Sequence, residues 1–120
     1  MSKTLTTNAN PYAAVNYGNT NLNATADTNI RGGATTVYVV TIDNTANVAK
    51  SYLQMFNNAA PTVGTTPPDA VLMVDVGVKR TFFLDFLGMP FATALSMACT
   101  TTPTGNTNPG SAVTVFALLS

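Results

Sequence analysis

From residue 34 onward the hydrophobic positions recur with the period of β-strands. Residues 34–42 (ATTVYVVTI) are dominated by β-branched and aromatic side chains, which suit a pleated, half-buried surface. Residues 43–47 (DNTAN) supply turn chemistry, because Asp and Asn side chains bond their own backbone. A second strand is predicted over 50–56. The long segment 57–69 follows, where Pro61, Pro67 and Pro68 remove ladder donors and mark a loop. Residues 70–76 and 79–86 read as strands separated by a tight turn at Gly77. Residues 87–90 read as a short loop. The apolar run to Thr100 reads as a strand from about Ala94, because flanking Pro and Gly make it too short for a helix. After a Pro/Gly/Asn loop over 101–110, residues 112–119 alternate as a last strand. Short strands with turn signals between them predict an all-β fold: a single antiparallel β-sandwich, jelly-roll or immunoglobulin-like, of about six to eight strands.

Residues 1–33 break this pattern. Tyr12, Val15, Tyr17, Leu22 and Ile30 are widely spaced in a Thr/Asn-rich background, with no sustained period. Asn10-Pro11 and Arg31-Gly32-Gly33 are turn or hinge signals. The reading is an extended polar N-terminal arm over 1–33 and a β-sandwich domain over 34–120. Tyr12, Val15, Tyr17, Leu22 and Ile30 are then candidate anchors on a partner. Arg31, Lys79 and Arg80 are candidate contacts to acidic surfaces.

Composition narrows the function. Five Lys+Arg balance five Asp+Glu, and charged residues are 8% of the 120. A neutral chain whose only adjacent basic pair is Lys79-Arg80 lacks the basic patch that nucleic-acid binding needs. A weakly charged surface also lacks the repulsion that keeps proteins apart, which suits a chain packed among others. There is no His and a single Cys99, so neither a zinc site nor a His-activated thiol is available, and Cys99 reads as a small buried hydrophobe. Asp43 and Asp69 read as turn formers, and the turn at 43–47 has too few carboxylates for calcium. Counting outward from the turn at Gly77 predicts a cross-strand Asp75–Arg80 ion pair. No cofactor is expected. No apolar run spans a membrane, and the first residues carry no signal-peptide core.

Residues 37–47 (VYVVTIDNTAN), the run 60–69 (APTVGTTPPD), a Val/Leu strand, Gly77 and a basic residue ahead of an aromatic strand resemble small structural proteins of tailed-phage virions. So do Thr100-Thr101-Thr102, the Gly/Pro loop and the Val-rich close at 111–118. The resemblance implies a β-sandwich that decorates capsids or forms part of a tail, with no enzyme activity. The expectation is a cement protein on the capsid surface, made without a signal peptide. It is expected to be a homotrimer, with its arm stapling neighbouring major capsid subunits. The alternatives are a tail or fibre-attachment component and a carbohydrate- or host-surface-binding module. In the last, the loops at 57–69 and 100–110 would be the binding tips.

Overall fold

The computed structural model describes residues 3–7, 15–85 and 87–120. The strands are β1 (Lys3–Thr7), β2 (Val15–Leu22), β3 (Thr35–Asp43), β4 (Ser51–Asn57), β5 (Ala70–Val74), β6 (Lys79–Phe83), β7 (Met89–Phe91), β8 (Leu95–Thr100) and β9 (Val113–Leu119). They form two antiparallel sheets. The larger runs β1-β2-β9-β3-β6, with β7 also on β3, and the smaller runs β5-β4-β8. The outer edge of β8 is taken by residues 23–30. Asp27 N donates to Met97 O at 2.9 Å, Met97 N returns to Asp27 O at 3.0 Å, and Ile30 N reaches Leu95 O at 2.8 Å.

The pairs are nested: β2 with β9, residues 23–30 with β8, β3 with β6 and β7, and β4 with β5. Such a chain is one long hairpin with its tip at 58–69. Rolling it brings β9 onto β3 and β8 onto β4. That is the strand order of a jelly roll.

The sandwich core follows from strand alternation. β9 turns Val113, Val115, Ala117 and Leu119 inward, and β3 contributes Val37, Val40 and Ile42. Leu53 and Met55 of β4 and Met97 and Cys99 of β8 face them from the smaller sheet. Each fully buried aliphatic side chain contributes about 1.5–3 kcal/mol of transfer free energy.

All six strands expected from the sequence form, and three more join them. The N-terminal reading is corrected. Residues 15–33 are not an arm: β2 sits between β1 and β9, and Val15, Tyr17, Leu22 and Ile30 are at most 3% exposed in the domain's own core. Tyr12 lies outside the described residues. β7 begins inside the loop expected over 87–90 and runs to Phe91, and its Pro90 is tolerated because an edge strand can spare a donor. Between β6 and β7 the chain steps away from β3 at Asp85 (φ 131°) and Gly88 (φ 78°). A Cβ on Gly88 would lie 2.5 Å from Thr36 Cγ2, so the step needs glycine.

The 75–78 segment is also corrected. It joins β5 of one sheet to β6 of the other, so it is a crossover and not a hairpin. The cross-strand Asp75–Arg80 pair therefore does not form; Arg80 instead lies over the Phe82 ring, 4.6 Å from its centroid. Asn44 ties this crossover to the one at 44–50. Its Nδ2 donates to Ala49 O and Asp75 O, and its Oδ1 accepts from Ser51 Oγ at 2.7 Å. The expected turn at 43–47 is present, with Asp43 Oδ1 accepting from Thr45 N and Oγ1. Those two bonds hold the Asp43 carboxyl below its usual range.

Candidate interaction surface

The two outer faces of the sandwich differ. On the smaller sheet the outward positions Gln54 and Phe56 of β4 and Ser96, Ala98 and Thr100 of β8 are fully buried, and only Tyr52, Val71 and Met73 toward the β5 edge reach the surface. The molecule's own loops cover the buried positions. Gln54 Nε2 donates to Gly105 O at 2.9 Å, Ser96 Oγ donates to Asn58 O at 2.6 Å, and Gly64 packs close to Asn106. The loops at 57–69 and 100–110, the binding tips in the alternative binding-module reading, thus also serve as a lid on this sheet.

The larger sheet has no such cover among the described residues. Its register sets Thr4, Gly18, Phe116, Thr41 and Thr81 in one outward row. The next row is Thr6, Asn16, Leu118, Val39 and Phe83. Phe116 is 51% exposed and Phe83 79%. Gly18 leaves room for the Phe116 ring, which a Cβ there would meet at 3.3 Å. β3 carries a register shift against β9 between Val37 and Val39. Beside it lies a groove of about 460 Å³ bounded by Asn16, Val39, Thr41, Phe116 and Leu118. Phe83, Val39, Leu118 and Phe116 adjoin here among Thr, Asn and Gly positions, and this exposed apolar cluster makes the face the candidate for association. Bulges recur beside functional sites because they re-aim side chains.

The candidate residues separate on the structure. Val15, Tyr17, Leu22 and Ile30 are core and reach no partner. Arg31 is exposed, and its Nε donates to Ser120 O at 3.0 Å. Lys79 and Arg80 are both exposed but point to opposite sides of β6. Lys79 stands opposite Asp43 on the outer face, whereas Arg80 leans over Phe82. The pair therefore makes no joint basic patch. Sequence reasoning missed Phe83, Phe116 and Leu118. The signal was there: Phe116 and Leu118 occupy the outward phase of the last strand, where a solvated face would be polar.

A second concavity of about 480 Å³ opens between loops, lined by Thr25, Thr28, Pro61, Val63, Asn106 and Asn108. It offers neutral hydrogen-bonding groups and no aromatic platform for a sugar ring. Inside the core, Asp27 accepts from Tyr17 Oη at 2.6 Å and from Asn19 Nδ2 at 2.8 Å. Among the described residues no three His, Cys, Asp or Glu side chains gather as a metal site, and no helix is long and apolar enough to cross a membrane.

Cys99 is buried, and desolvation pushes its thiol up to about 12. Because the thiolate is the reactive form, the native protein should leave Ellman's reagent uncoloured at pH 8. One thiol per chain should titrate after guanidinium unfolding. Rapid labelling of the native state would contradict this burial.

No family model matches the chain, and neither a curated protein nor a solved structure is matched by it.

Proposed function

We propose that this chain is a structural protein of a virus particle, most simply a decoration subunit carried in many copies on the shell of the major capsid protein. The observation that carries the reading is the pairing of a jelly roll with one uncovered apolar face. Jelly rolls serve in capsid and lectin domains, and a fold alone does not choose between them. The face supports the capsid reading: it offers Phe83, Phe116, Val39 and Leu118 for packing against protein, with few charges to keep neighbours apart. The resemblance to tailed-phage structural proteins supports the same reading. The sheet face replaces the arm as the surface on which neighbouring subunits of the particle meet, because the arm's described anchors are spent on the chain's own core. Many weak contacts on a repeating shell add through multivalency.

The test is the copy number of the chain in purified particles of the virus that encodes it, by quantitative mass spectrometry against the major capsid protein. A fixed ratio near one per shell subunit is the expected outcome. A handful of copies moves the protein to the tail, and absence from the particle ends the structural reading.

A further inference from the structure

We infer that the neighbour on the open face of the larger sheet is a second copy of this chain, packed about a two-fold axis that runs along β3. The inference names the partner of the face on which the proposed function rests. It is tested on the isolated protein, so its failure is separate from that of the virion reading.

The argument begins with register. Phe83, Val39 and Leu118 lie side by side on β6, β3 and β9. A protruding ring stands at one end of this row and the groove beside Phe116 and Leu118 at the other. Rotation by 180° about β3 exchanges the two ends. Each Phe83 then lies over the groove of the opposite copy, and Val39 faces Val39. The contact is isologous, as a closed dimer requires. One row along, Phe116 meets Thr81 of the second copy.

Charge agrees with this arrangement. The row beyond holds Lys79, Asp43 and Thr114 across the same strands. The two-fold sets Lys79 of the second copy over Thr114, beside Asp43. Each carboxylate then stands between two ammonium groups, one from each chain, which offsets the approach of the two Asp43 side chains across the axis. No other charged residue lies in these three rows.

Size sets the strength. Three overlapping strands about 4.8 Å apart and five residues at about 3.3 Å each give a shared face of roughly 240 Å² in projection. A standard stable interface needs about 800 Å² from each partner. The dimer is therefore weak, in the micromolar to millimolar range, and fills as copies are concentrated.

The experiment is sedimentation velocity from about 10 μM to about 1 mM, with the dissociation constant read from the shift toward dimer. Phe83→Asp, at a site exposed enough to spare the fold, should weaken association by at least ~10-fold while leaving the thermal midpoint unchanged. As a second readout, Val39→Cys in a Cys99→Ser background should cross-link to dimer with a bismaleimide of about 10 Å, the spacing of stacked sheets. Val48→Cys, on the crossover at 44–50, should not. A chain that stays monomeric throughout, or a dimer indifferent to Phe83→Asp, overturns the inference. So does a monomer whose attachment to particles is abolished by Phe83→Asp, since the face then belongs to a different virion protein.

Discussion

Replacing Gln54 by Glu should cost roughly 3–5 kcal/mol at neutral pH, a large share of the 5–15 kcal/mol typical of a domain. Gln54 is fully buried on β4 beneath the 101–110 loop. Its Nε2 donates to Thr100 Oγ1 at 2.7 Å and to Gly105 O at 2.9 Å, and lies 3.5 Å from Thr102 O. A carboxylate has no proton for these oxygens and sets an anion against two carbonyl dipoles. Desolvation holds the new group's folded-state pKa above its unfolded value of about 4.3. The folded chain then binds a proton that the unfolded chain has released, so stability falls as pH rises through that window. Urea melts at pH 4 and pH 7 should show the penalty small at the lower pH and large at the higher. Gln54→Met loses the bonds without adding charge and should fall between wild type and Glu at pH 7. A Gln54→Glu variant as stable as wild type at pH 7 would refute the view that this amide pins the loop.

The same covering loops explain which strands were easy to read. β9 alternates cleanly because one of its faces is core and the other is open. β3 does so until its bulge at Val39. β8 does not alternate, since Ser96, Ala98 and Thr100 are sealed under loops while Leu95, Met97 and Cys99 fill the core. A strand buried on both faces reads as a continuous small-apolar run, which periodicity alone does not separate from helix. β2 was hidden for a different reason. Val15 and Tyr17 keep step, but the next inward position is Asn19, and a bulge follows before Leu22. Low strand propensity at Asn and Gly completes the disguise. The interaction face was half legible: the outward Phe116 and Leu118 are in the sequence pattern. Their alignment with Phe83 required the β3–β6 pairing, which joins residues about forty apart. That pairing was misread because the Gly77 turn looked like a hairpin, and only the split of β5 and β6 between two sheets corrects it.

Asn19 was unreadable as an inward residue because its partner, Asp27, belongs to the other sheet's edge, and this defines the second large effect. Asp27→Ala should cost about 2–4 kcal/mol and lower the thermal midpoint by roughly 10 °C or more. The carboxylate accepts from Tyr17 Oη and Asn19 Nδ2, two donors on β2 that are at most 1% exposed. Removing it leaves both donors buried and loses two charge-assisted bonds. It also unfastens the segment 23–30, whose backbone closes the edge of β8. Hydrogen exchange should therefore quicken first at the amides of Asp27, Ile30 and Cys99, which donate across that seam. Tyr17→Phe removes one donor and leaves Asn19 in place, so it should cost less, about 1–2 kcal/mol. It carries a separate signature in alkali. Burial first, and the neighbouring carboxylate second, hold the Tyr17 phenol protonated far above its usual range. A group whose pKa is raised by folding contributes fully below its unfolded value of about 10, and the contribution is lost as pH rises beyond it. Wild type should lose stability steeply above pH 10, and Tyr17→Phe should lose less over the same interval. If both variants melt like wild type and the amides at 27, 30 and 99 keep their protection, the polar seam between the sheets is not what holds the first strands in the sandwich.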